Sequence, residues 1–300
     1  VRGDTREQKR WLEQVEEVEE KFGNMSLIHV MDREGDMSDL WSNMVERDYR
    51  FVIRVKYNRQ VLPGDKSHRL FNELKNAEVI ATKSVYLAKK DASPIPRSAR
   101  VHPGRTARKA ILQISYKAVD VHKTNKHGHT IDETVRMNFV RVFEKNQDQK
   151  NAIEWVLMTS EPIQSADDAL RVVDIYKGRW IIEEYFKGLK TGCDLEARQL
   201  GSVQAWYKLT AMFLPITTRI LNLCLGFKAT ALTSDQIEIL KISARRAGVR
   251  LRTPNQAHSE LARLGGHIKT NGPPGWITLL RGYLTLIGLE TGWQMRRQTM

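Results

Sequence analysis

The chain has 300 residues, 41% of them hydrophobic, enough to bury the core of one large domain or two ordinary ones and to exclude a wholly disordered segment. Its 48 Lys and Arg against 35 Asp and Glu give a formal charge of +13, which points to a polyanionic partner, most often nucleic acid. Two cysteines, Cys193 and Cys224, exclude a disulfide framework and a CxxC zinc site and suit a reducing cytoplasm, and no run of about 18 apolar residues predicts a membrane span.

Lys9 to Phe22 carries Trp11, Leu12, Val15, Val18 and Phe22 near helical spacing and is ended by Gly23 and Asn24, so a helix is predicted there. Ser26 to Met31 is a short apolar run suited to a buried strand, with Asp32 directly after it. Met37 to Arg47 predicts a helix with Leu40, Trp41 and Met44 on one side, and the alternation of Tyr49 to Tyr57 predicts a strand. From Val79 to Phe143 short strands and turns dominate. Val85–Leu87, Ala110–Val121 and Thr134–Phe143 are the strand candidates, separated by Pro94, Pro96, Pro103, Gly104 and a turn at 124–129. Ile153–Thr159 predicts one more strand. Ala166–Leu189 reads as a helix with a break near Gly178, and the chain after Trp206 reads as helical, interrupted by Gly and Pro at 265–275.

The order is therefore α/β, then a β-rich insertion, then a strand and long helix, then an all-helical tail. Charge is uneven along it. Residues 1–20 hold four basic and seven acidic side chains, whereas 81–130 hold eleven Lys or Arg against Asp91 and Asp120. Arg97, Arg100, Arg105 and Arg108 are thus expected to form a positive surface continuous with Arg54, Lys56 and Arg59.

Two places carry chemistry. An aspartate at the C-terminal end of a strand projects into the crevice where open α/β sheets place ligands, and a hard cation such as Mg²⁺ takes such oxygen donors. Asp32 has that position, although an aspartate after a strand equally serves as a cap for the turn that follows. On the second long helix, Tyr176, Arg179, Glu183, Lys187 and Lys190 are spaced 3, 4, 4 and 3 residues apart and share a face within roughly 80°. Ile175, Ile182, Phe186, Leu189 and Cys193 form a separate apolar stripe. A carboxylate among four donors suits a metal and phosphate site; the alternative is a solvated face of i,i+4 ion pairs.

Tyr176-x2-Arg179-x3-Glu183-x6-Lys190 matches the Y-R-E-K signature of the insertion-sequence-four family of DDE transposases, which the chain resembles. The stretches Val30–Asp36, Phe51–Lys56, Trp155–Pro162, Ala169–Tyr176, Thr191-Gly192 and Leu261–Gly266 resemble the same family in the same order. The resemblance implies an RNase H-like catalytic core, here partial, over about 1–205. A β-rich insertion at about 48–160 and a helical dimerisation region at 206–300 complete it. It implies metal-dependent cleavage of transposon ends, hairpin formation and strand transfer to target DNA by a cytoplasmic, nucleoid-associated homodimer with Mg²⁺ or Mn²⁺. Asp32 and Glu183 match the second and third metal-binding acids. Tyr176, Arg179 and Lys190 match the DNA-contacting residues of the signature, joined by Arg54, Lys56, Arg59 and Lys187. Trp155 matches a tryptophan that stacks on a flipped base; the competing reading is a core strand aromatic. No residue before Asp32 matches the family's first acid, and Ile181 stands where a basic residue is expected. The 300 residues alone are therefore expected to bind DNA without cutting it. The alternative is a non-catalytic DNA-binding or dimerising remnant or inhibitor, and a third reading is a related metal-dependent nuclease.

Overall fold

The computed structural model describes residues 5–61, 68–87, 89, 91–94, 101–102, 104–124, 130–145, 152–224, 232–268 and 274–298. They fall into two compact units, 1–179 and 180–300.

In the first unit, side-chain alternation decides which helices cover which face of one sheet. β1 (His29–Met31) lies parallel to β2 (Phe51–Arg54), with Met31 opposite Ile53. β2 pairs antiparallel with β8 (Glu154–Thr159), and the sheet continues through β7 (Thr130–Glu144), β6 (Arg108–Thr124) and β3 (Val79–Leu87) in the order β1-β2-β8-β7-β6-β3. A separate two-residue pairing joins β4 (Ser93–Pro94) to β5 (Val101–His102).

Phe51, Ile53, Met158, Phe139 and Val121 point to one face. There they pack with Val15 of α1 (Thr5–Phe22), with Leu40, Trp41 and Met44 of α2 (Ser38–Glu46), and with Leu70 and Leu74 of α3 (Leu70–Lys75). Val52, Leu157, Val140, Val142 and Ile114 point to the other and meet Ala169, Val172, Val173 and Tyr176 of α4 (Ala166–Gly178). Ser165 starts α4 with a reciprocal capping box to Asp168, the arrangement that satisfies two end donors at once.

The β-rich insertion is not a separate module. Four of its strands prolong the sheet that β1 and β2 begin, because β8 returns along the free edge of β2. β1 is three residues rather than six, and α3 is a short helix that the sequence pattern does not announce.

The second unit is helical. α5 (Ile181–Lys187) runs into a π-helical turn at Gly188–Gly192, followed by α6 (Val203–Cys224), α7 (Ser234–Arg246), α8 (Pro254–Leu264) and α9 (Trp276–Gln298). Thr233 with Gln236 and Thr253 with Gln256 form capping boxes that fix where α7 and α8 start. Leu223, Leu240, Leu261, Leu279 and Leu286 are the centre of its core. The end of α8 and the first two turns of α9 touch backbone to backbone: a Cβ on Gly265 would collide with the Thr278 carbonyl oxygen, and one on Gly282 with that of Leu261.

The unit boundary at 179/180 precedes the 205/206 boundary expected from sequence. Tyr185 of α5 packs on the helical core and Gly188 sits against Trp276, which ties the segment after Arg179 to the helices that follow it. Among the described residues no helix is long and apolar enough to cross a membrane.

Candidate nucleic-acid site

The C-terminal ends of β1 and β2 lie side by side. Asp32 follows β1 one residue after Met31, and Arg54 ends β2 one residue after Ile53. By parity Asp32 shares its side of the sheet with Ile28 and Val30, and Arg54 shares its side with Val52, so both belong to the face covered by α4. Trp155 of β8 belongs to the same face and is half-buried against that core.

Aromatic rings and cations meet here. The Trp155 and Tyr176 rings are 5.7 Å apart in an edge-to-face arrangement at 65°, and the Arg54 guanidinium lies 6.0 Å from the Trp155 ring centre. Arg179, which follows α4, holds its guanidinium 5.9 Å from the Tyr176 ring. Burial above all, then the charges of Arg33 and Arg179, lower the pKa of Arg54, while a hydrogen bond with Tyr176 acts in the opposite direction. Arg54 still carries its charge at any neutral pH, because an arginine starts so far above it. The consequence is a desolvated cation beside two others. No ion pair among the described residues includes Arg54, and its Nε is buried without a hydrogen-bond partner. An anion that brought oxygen acceptors would relieve both deficits.

Asp32 is half-buried and acts as a cap: its Oδ1 accepts the Glu34 N–H at 2.9 Å and starts a 3₁₀ turn over Arg33–Gly35. The capping reading holds; the cap uses one oxygen, and no Lys, Arg or His among the described residues pairs with the carboxylate.

Four residues on, Asp36 is fully buried. It accepts the N–H groups of Lys56 and Tyr57 at 2.6 and 3.0 Å and pairs with Arg59. Arg59 is accordingly drawn inward, its guanidinium 5.5 Å from the Trp41 ring and 5.7 Å from the Tyr57 ring. This differs from the exposed phosphate contact expected of it: the buried carboxylate of Asp36 holds the guanidinium in place. Lys56 is exposed, with its ammonium 5.1 Å from the Tyr57 ring. Sequence reasoning does not foresee the Asp36–Arg59 pair. Opposite charges 23 positions apart give no periodic signal.

Tyr176 and Arg179 belong to the first unit; Glu183, Lys187 and Lys190 belong to the second. The single helical face expected to carry all five is interrupted, because α4 ends at Gly178 and α5 starts at Ile181. Tyr176 is buried under Trp155 rather than displayed. Glu183 is half-buried in the first turn of α5. Lys187 and Lys190 are exposed, the former 3.7 Å from Glu184 and the latter 2.9 Å from Glu196, so Lys187 meets Glu184 at i,i+3 rather than the expected Glu183 at i,i+4. The expected apolar stripe is also different. Leu189 and Cys193 are buried, but Ile182 and Phe186 are about half exposed, and Tyr185 takes the packing position instead.

The basic insertion is more neutral than its composition. Lys83 pairs with Asp174, Arg108 with Glu144, Lys117 with Glu73, and Lys123 with Glu46 and Glu133. Cations of the insertion thus meet acids brought from other elements, which a local charge count does not register. Arg97 and Arg100 lie outside the described residues.

A hard divalent cation fits the donor chemistry of Asp32, a carboxylate with no cationic partner among the described residues, and that of Glu183. Among the described residues no group of three or more His, Cys, Asp or Glu side chains is gathered to hold one.

An acid at paired parallel strand ends, a desolvated arginine and edge-to-face rings beside one helix are groups with which an α/β domain can meet a polyanion with planar groups. A family model described as a transposase DDE domain matches residues 4–212, and the chain belongs to that family. It is a transposase, an enzyme of DNA recombination whose partner is DNA.

Proposed function

We propose that the chain carries the catalytic chemistry of cut-and-paste transposition in the manner of the insertion-sequence-four family, close to the transposon-five transposase. The observation that carries this reading is the convergence of Arg54, Trp155 and Tyr176 at the strand end beside Asp32. The core is of RNase H type. Asp32 and Glu183 are the metal-binding acids of this reading, for two divalent cations, Mg²⁺ or Mn²⁺, which when bound would supply Lewis acidity to the phosphodiester.

The chain's own residues do the rest. Arg54 and Arg179 bind phosphate oxygens, and Tyr176 orients the Arg54 guanidinium. Lys56, Lys187 and Lys190 add phosphate contacts from exposed positions. Trp155 offers an indole ring on which a base unstacked from the end of the duplex stacks, which favours a hairpin between the two strands. The helical region at 206–300 serves a homodimer that holds two ends together. The family's chemistry calls for a third acid. Neither neighbouring carboxylate supplies it, because Asp36 is closed in by three donors and Glu184 accepts from Trp276 Nε1 at 3.0 Å.

The test is nicking and hairpin formation on a labelled transposon-end duplex by a transposition-competent protein carrying this chain. Asp32→Ala and Glu183→Ala are expected to abolish nicking and leave duplex binding intact. Trp155→Ala is expected to allow nicking and suppress the hairpin. Undiminished nicking by Asp32→Ala would overturn the assignment.

A further inference from the structure

We infer that Asp36 and Arg59 are positioning residues for the site: a buried strut that locks the turn bearing Asp32 to the segment that leaves β2 just after Arg54. The inference rests on the reading of Asp32 and Arg54 as site residues.

The connection is continuous. Asp32 starts the 3₁₀ turn, and the Gly35 N–H donates to the Asp32 carbonyl oxygen at 3.2 Å. Gly35 lies so close on β1 that a Cβ there would be 2.6 Å from the Met31 Cβ, so the turn cannot lift without unpacking. Asp36 then crosses to the neighbouring strand's exit and takes two consecutive N–H groups, those of Lys56 and Tyr57. Arg59 closes the arrangement from the far side. It pairs with the Asp36 carboxylate, donates to the Asp36 carbonyl oxygen at 3.2 Å, and lies near the rings of Trp41 and Tyr57.

Solubility and steering have no use for an ion pair this deeply buried, since both partners are withdrawn from solvent. Stability is a weak reason to keep one, because an apolar replacement of similar volume commonly does as well. What the pair provides is direction. It fixes the relative setting of two loops, one following the acid and one following the desolvated arginine, adding a directional link to the short β1–β2 register and the apolar packing of Met37 and Val55. A site that holds charge in a chosen geometry needs such support.

Backbone amide exchange, read residue by residue on the 300-residue chain, tests the strut without DNA or metal. The Glu34 N–H reports on Asp32 because it donates to the Asp32 carboxylate. Asp36→Asn and Arg59→Lys are each expected to speed exchange at Lys56 and Tyr57 and, through the turn, at Glu34 by about tenfold, with the amides of β7 unchanged. Glu144→Gln, which breaks the Arg108–Glu144 pair elsewhere in the unit, serves as the control and should leave Glu34 unchanged. In a cleavage-competent protein the same two variants should lower the rate at saturating DNA by about tenfold, with the DNA Kd held within about twofold, a split that loss of fold would not give. Should Asp36→Asn fail to fold, Arg59→Lys, which keeps the charge, carries the measurement. Faster exchange at Lys56 and Tyr57 with Glu34 unmoved would overturn the inference, as would a uniform rise that includes β7. Unchanged exchange at all three amides would overturn it as well, whereas the expected rise joined to nicking that ignores Asp32→Ala would overturn the catalytic reading and leave the strut standing.

Discussion

Asp32 and Arg54 occupy matching steps on two neighbouring parallel strands, each one residue beyond the Met31–Ile53 pair. Parallel strands are what make this possible. Both C-terminal ends open in one direction, so a carboxylate and a guanidinium arrive together without any loop to carry them. They should nonetheless be separable by function. Arg54→Ala is expected to weaken DNA binding and to lower the slope of log affinity against log salt by about one, as removal of a single phosphate-neutralising charge requires. Asp32→Ala should leave both affinity and slope unchanged. A filter-binding series between low and moderate salt checks both. An unaltered slope in Arg54→Ala would show that its charge meets no phosphate.

Trp155 is held edge-to-face against Tyr176 and half-buried, so it contributes to packing while part of its ring stays open for the base stacking proposed for it. Trp155→Ala is expected to cost about 1–3 kcal/mol in affinity for a transposon end with an unpaired terminal base. Trp155→Phe, which keeps a ring in the strand, should recover most of that. Equal losses on fully paired and unpaired ends would assign the residue to the core alone. Fluorescence anisotropy on the two duplexes distinguishes these outcomes.

The α8–α9 contact predicts opposite effects for one substitution at three places in one helix. At Gly282 a methyl group would collide with the Leu261 carbonyl, whereas Gly288 and Gly292 have nothing within 4 Å of the corresponding position. Gly282→Ala should destabilise the chain by about 1–3 kcal/mol through overpacking. Gly288→Ala and Gly292→Ala should stabilise it by up to about 1 kcal/mol, because alanine is the better helix former. Urea titration monitored by circular dichroism measures all three.

Acid should weaken the fold in two stages. Burial, followed by the neighbouring charge of His267, lowers the pKa of His258, whose Nε2 is buried without a hydrogen-bond partner. A histidine kept neutral in the fold opposes folding once the unfolded chain can take the proton, so stability declines as pH falls below about 6.5. Glu144 behaves differently. The hydrogen bond from Arg108 chiefly, and the Ile153 N–H, hold its pKa below the ordinary carboxylate value, as the Lys117 hydrogen bond does for Glu73. Their contribution is complete above the unfolded carboxylate pKa of about 4.3 and is lost as pH falls through the lower folded value. The melting temperature should therefore dip from about pH 7.5 to about 5.5 and fall again below about pH 4. His258→Leu should remove the first decline and spare the second; a decline that persists unchanged would assign it to other groups.

Much of the framework is legible in the sequence because it rests on periodicity. The alternation of Tyr49–Tyr57 contains β2, the helical spacing of Trp11, Val15 and Phe22 lies within α1, and the Gly and Pro cluster at 265–275 separates α8 from α9. Asp32 stands out at a strand end because a short apolar run stops abruptly there. What escapes the sequence is long-range pairing. Nothing near Lys83 or Lys117 announces Asp174 or Glu73, so the insertion reads as more cationic than it is. Arg59 reads as an outward cation for the same reason: its partner lies 23 residues back, with a helix and a strand in between. The break at Arg179 and Trp180 lies beside the one expected near Gly178, but its interruption of the shared Tyr176–Lys190 face escapes. Both residues keep helical dihedrals, and spacing alone does not distinguish a continuous helix from two that meet there.

The π-helical turn at Gly188–Gly192 gives chain length a meaning beyond reach. Its closure, from the Cys193 N–H to the Gly188 carbonyl oxygen at 2.9 Å, spans one residue more than an α-helical turn, so the segment behaves as a single residue wedged into a regular path. Excising one residue there, for instance by deleting Thr191, would let the turn close as an ordinary α-helical one and draw the residues after it back by one position. Cys193 would lose its place beside the Thr217 hydroxyl, now 3.5 Å from its sulfur, and with it a contact that seats the turn on α6. Here a change of one codon in length, with no change in charge, would unseat the end of a helix.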